Sequence, residues 1–63
     1  MEPSLELLMS QIEDRRKQVV DSLGDGAAKD YASYQNAAGY VRGLLTVQGL
    51  ILDLAKRMEN DDD

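Results

Sequence analysis

One break, Gly24-Asp25-Gly26, divides this chain into two long segments, and no second turn signal follows it. Before the break, apolar residues recur at Leu5, Leu8, Ile12 and Val19, with Met9, Val20 and Leu23 beside them. That is helical spacing. Pro3 fits a first helical turn, Ser4 is a candidate cap, and Glu2 and Glu6 complement the positive end of the helix dipole. Arg15 falls where a further core residue is due, so its stem is expected along the seam with the guanidinium in solvent or paired. Gly24 suits the left-handed position that closes a helix, and Asp25 can cap a new one. From there to about Glu59 no proline intervenes, and Val, Ile and Thr do not alternate with polar residues as a strand requires. The expected fold is all-α: an antiparallel helical hairpin over 1–58, with helix 1 at about 4–23, a loop at 24–26 and helix 2 at about 27–58. An acidic, flexible tail at 59–63 completes the organisation.

The second helix carries more apolar surface than one partner covers. One seam runs through Tyr31, Tyr34, Ala38, Val41, Leu45, Gln48, Leu52 and Ala55, and a second runs beside it through Ala37, Leu44, Ile51 and Met58. At 1.5 Å per residue the two helices would measure roughly 30 Å and 50 Å. Folding about Gly24-Asp25 sets Ile12 near Ala38 and Leu5 near Leu45, so the first helix ends there. Val47, Leu50, Ile51, Leu52, Leu54 and Met58 are then expected to overhang as an apolar patch that a monomer seldom tolerates. A second chain is the expected cover, in a homodimeric four-helix bundle or a larger oligomer.

Composition closes other routes to stability. A chain of 63 residues holds one small domain, and such domains commonly need a disulfide, a metal or self-association. With no Cys and no His, the disulfide, the usual zinc site, a thiol nucleophile and a His-based triad are excluded. The formal charge of −5 repels phosphate backbones and anionic lipid, so neither nucleic acid nor membrane is an expected partner. Tyr31 to Leu52 carries only Arg42 as a charge, yet Gln35, Asn36, Gln48 and three glycines dilute it below a membrane span. No secretory signal pattern opens the chain, which leads to an intracellular expectation.

Four constellations admit a functional reading, and each has a plainer one. Gly39-Tyr40-Val41-Arg42-Gly43 places two side-chain-free positions on one helix face, which permits close approach by another helix. Packing is favoured over a ligand role there, with Gly49 a candidate for similar work. Tyr31, Tyr34 and Tyr40 can stack on bases, but no cations interleave with them, so core or interface roles are favoured. Arg15-Arg16-Lys17 is the one basic cluster, and Glu13, Asp14 and Asp21 lie at salt-bridge spacing from it, as on a solvated face. Glu59-Asn60-Asp61-Asp62-Asp63 lacks the fixed geometry of a calcium loop. Every acid reads as surface or terminus, so no catalytic, cofactor or metal residues are assigned, and an enzyme is not expected. The residues assigned to an interface are Gly39, Gly43, Leu44, Val47, Leu50, Ile51, Leu54 and Met58.

Asp30-Tyr31-Ala32, Tyr34, Gly39, Gly43-Leu44 and the Ile-x-Asp-Leu ending at Ile51 to Leu54, after a basic-acidic first helix, carry a resemblance. The chain resembles small conserved proteins of unassigned role encoded in the structural gene clusters of tailed bacteriophages. It departs from them at Ala38, where such proteins carry a bulkier residue or Cys. The resemblance implies a phage or prophage origin, a location in the virion or the host cytoplasm, and a role in building the virion; it implies no catalytic residues. The expected function is a noncatalytic assembly protein that packs on itself and on a phage head, portal or connector protein. The alternative is a small acidic regulator that binds and inhibits a host protein, which requires acids clustered on one folded face.

Overall fold

The computed structural model describes residues 1–60. It consists of two helices, α1 (Pro3–Gly24) and α2 (Tyr31–Asn60), and no strand occurs among the described residues. They pack antiparallel as a hairpin about 52 Å long: Leu23 shares a small cleft with Ser33 and Ala37, while Met1 shares one with Ala55 and Met58. The helical-hairpin expectation is met. The expected acidic tail falls mostly on 61–63, outside the described residues, and Glu59 and Asn60 belong to α2.

Local chemistry sets the ends of each helix. The α1 N-cap is Glu2 rather than Ser4: its carboxylate accepts from the Ser4 backbone N–H at 2.9 Å and the Leu5 N–H at 3.2 Å, with Pro3 starting the helix. At the other end Gly26, not Gly24, takes the left-handed conformation, with φ 85°. Its N–H donates to the Leu23 carbonyl at 3.2 Å, and the Ala27 N–H donates to the Ser22 carbonyl at 2.9 Å. These two bonds close a Schellman motif, which favours glycine at the left-handed position. Asp30, not Asp25, caps α2, accepting from the Ser33 N–H at 2.8 Å. The connection is therefore longer than expected, and α2 starts at Tyr31 instead of about residue 27.

That longer connection changes the register. Glu13 meets Gln48, Val19 shares a cleft with Ala37, and Met1 reaches Ala55. The pairing is displaced by about two helical turns from the one in which Leu5 met Leu45. With α1 at 22 residues and α2 at 30, the amino end of α1 runs beside the last turns of α2, so the expected overhang beyond Leu45 does not form.

Each helix contributes one inner row. Leu5, Met9, Ile12, Arg16, Val19 and Leu23 of α1 are half-buried at alternating steps of four and three. Ala37, Val41, Leu44, Gln48, Ile51 and Ala55 of α2 repeat that spacing, and only Ile51 and Ala55 are buried among the described residues, each 7% exposed. Several side chains expected on the two seams lie elsewhere, among them Leu8, Leu45 and Leu52, which are exposed. Arg16 takes the place foreseen for Arg15, and Tyr31 and Tyr34 stack on each other on the outside, with ring centroids 6.4 Å apart.

Candidate helix-packing interface

A second row of α2 stays open. Asn36, Tyr40, Gly43, Val47, Leu50 and Leu54 follow the same alternation of four and three as the inner row, and all six are exposed. At 3.6 residues per turn this row lies roughly 100° around the helix from the inner one. Leu50 is the most exposed of its large side chains, at 62%, and Met58, also exposed, lies between this row and the inner one. No charged residue occurs among its six members and the next position of the row is Arg57, whereas the far side of α2 carries Arg42, Asp53 and Lys56.

Six of the eight assigned interface residues lie along this side: Gly39, Gly43, Val47, Leu50, Leu54 and Met58. The other two face α1. Leu44 is half-buried and Ile51 is buried in the intrachain seam, so Ile51 does not stand without an intramolecular partner as the overhang had required. What the fold leaves open is one flank of α2 along its length. Tyr40 and Leu8 belong to the same flank and were not assigned to it; the spacing from Asn36 through Tyr40 to Leu54 is the signal that reaches Tyr40. Leu8 joins by helical spacing, seven residues before Arg15, which shares a groove with Tyr40.

The glycines of α2 have no explanation inside one chain. A Cβ placed on Gly39, Gly43 or Gly49 would meet nothing within 4 Å. Each glycine costs a helix about 1 kcal/mol relative to alanine, so three of them weaken α2 with no close approach by α1 in return.

The neighbouring row of α1 differs in character. Helical spacing groups Leu8 with Ser4, Gln11, Arg15, Gln18 and Ser22, and the last three share an open groove with Asn36, Ala37 and Tyr40. This border is polar and carries one charge. Apolar contact on this side is thus concentrated on α2.

Most polar side-chain contacts lie at the hairpin seam and the helix caps; on the exposed surface of α2 the Gln35 amide donates to the Tyr31 hydroxyl and the Thr46 hydroxyl to the Arg42 carbonyl at 3.0 Å. Arg16 donates through Nε to Glu13 at 3.3 Å and forms the one ion pair among the described residues, while the Gln48 side-chain amide reaches across to Glu13 at 3.0 Å. The Gln48 hydrogen bond, followed by that from Arg16, lowers the Glu13 pKa. Backbone N–H donation by Ser4 lowers that of Glu2, and donation by Ser33 lowers that of Asp30. These are structural carboxylates. Among the described residues no three acidic side chains gather as a metal-binding group. Among the described residues no helix is long and apolar enough to cross a membrane. The chain matches no protein-family profile, no curated protein and no solved structure.

Proposed function

We propose that this chain is a noncatalytic structural or assembly protein of a tailed bacteriophage, acting by helix packing as a homo-oligomer and docking on a head, portal or connector protein. The observation that carries the self-association is the outer row of α2, uncharged from Asn36 to Leu54 and exposed on a hairpin that buries only two side chains among the described residues. The phage assignment rests on the resemblance running from Asp30 to Leu54, and a location in the virion or the infected cell goes with it. An acidic inhibitor gains less support from the acids: Glu13 is engaged by Arg16 and Gln48, and Glu2 and Asp30 cap helices.

The test is molar mass by light scattering across a dilution series, for the wild type and for the pair Leu50→Asp and Leu54→Asp in one chain. A dimer or larger species that the double variant loses supports the reading. A wild-type monomer at every concentration overturns self-association.

A further inference from the structure

The outer row of α2 is lopsided in a way that selects its partner. Its amino-terminal half is small at Gly43, flanked by Gly39, whereas its carboxy-terminal half is large at Leu50 and Leu54. From Tyr40 to Arg57 the row has its midpoint between Gln48 and Gly49. Reversing the helix about that midpoint brings each Leu54 onto the Gly43 of a second copy, each Leu50 beside a Val47, and each Tyr40 beside an Arg57. Large meets small, and the phenol ring meets a guanidinium. A parallel, in-register pairing would set Arg57 on Arg57 and leave two Gly43 residues facing across a gap.

Surface area points to an occupant of similar size. The chain exposes 4889 Å², against about 4,000 Å² for a compact monomer of its mass. The excess, about 900 Å², goes with the elongated shape of the hairpin and is comparable to what one partner buries in a standard protein interface. A second copy is also the one partner present whenever the chain folds.

We infer that two copies pair antiparallel through the outer rows of α2, about a two-fold axis beside Gln48 and Gly49, with Leu54 of each seated on Gly43 of the other and both α1 helices to the outside. This rests on the self-association reading and adds its seam, direction and register. It also accounts for Gly43: with no side chain there, the backbones approach closely enough for Leu54 to seat.

The absence of cysteine makes the test direct. Single variants Gly43→Cys and Leu54→Cys, differently tagged, are mixed at a concentration where light scattering reports association, then oxidised. Each is also oxidised alone, and helicity is checked by circular dichroism. The expected result is a disulfide in the mixture and none in either protein alone, because like positions stand roughly 16 Å apart along the axis and a disulfide needs about 4.4–6.8 Å between Cα atoms. Tyr40→Cys mixed with Arg57→Cys should behave in the same way.

Cross-linking of Leu54→Cys with itself would mean a parallel pair and overturn the inference, leaving self-association standing. No cross-link in either mixture, from proteins that scatter as dimers, would overturn it in favour of another seam such as that of Tyr34, Leu45 and Leu52. Wild type and variants that are monomeric throughout would remove both the inference and the reading beneath it.

Discussion

Ile51 and Leu50 are adjacent in sequence and nearly alike in chemistry, yet one is 7% exposed and the other 62%. They belong to two rows of α2 that share a spacing and differ by about one residue's rotation. The inner row is covered by α1; the outer row is bordered by the serines and glutamines of α1 and stays exposed among the described residues. Helical periodicity therefore states how many faces a helix wants to bury, and chain topology decides which of them it can bury alone.

The sharpest way to break this comparison is to place the same charge on each row. Ile51→Asp puts a carboxylate into the one buried patch among the described residues and should cost about 4 kcal/mol or more, leaving the chain unfolded at every concentration by circular dichroism. Leu50→Asp should change the hairpin itself by less than about 0.5 kcal/mol. Its melting temperature should match the wild type at high dilution and fail to rise with concentration as the wild type's does. Equal loss of helicity in both variants at high dilution would show that the two rows are not energetically distinct.

A smaller effect, with opposite signs in monomer and dimer, is expected at Gly43. Since a Cβ there meets nothing in the single chain, Gly43→Ala should stabilise the isolated hairpin by up to about 1 kcal/mol through helix propensity. If Leu54 of a second copy seats there, the same methyl group should weaken association by on the order of tenfold. Melting at high dilution and light scattering near the dissociation midpoint read the two signs separately. Stabilisation in both would remove Gly43 from any close contact.

How much of this was legible in sequence depends on which residues are asked. The two helices follow from the spacing of Leu5, Ile12 and Val19 and from the unbroken run after Ala27. The broad face of α2 was legible too. Its division into a covered row and an open one was not, because the division depends on register, and register depends on the connection. Both Gly24 and Gly26 suit a left-handed closure, and both Asp25 and Asp30 suit a cap. The structure uses the later residue of each pair, which moves α1 about two turns along α2. Ile51 then comes under α1, and the open surface becomes a flank instead of an overhanging end. The glycines could be read as packing positions, but only the empty space around them separates a role within the hairpin from one outside it.

Acid offers the mildest probe of the two rows, since the inner contact has a carboxylate at its edge and the outer row has none. Glu13 has its pKa lowered from its ordinary 4.5 by the Gln48 amide and then by Arg16. A group whose pKa is depressed on folding adds stability that is fully present above its unfolded value and is lost as pH falls through its folded value. The hairpin should therefore lose melting temperature below about pH 4.5, and Glu2 and Asp30, lowered by their cap hydrogen bonds, act in the same direction. Gln48→Leu removes the larger cause at Glu13 and should flatten that acid limb by a few degrees at most, while Glu13→Gln should flatten it further by abolishing the titration. Neither change touches the outer row, so the dissociation constant at neutral pH should stay within about twofold of the wild type. An association that tracks the Glu13 titration would mean that the two rows act as one cooperative unit, and the separation between Ile51 and Leu50 would hold for burial but not for energy.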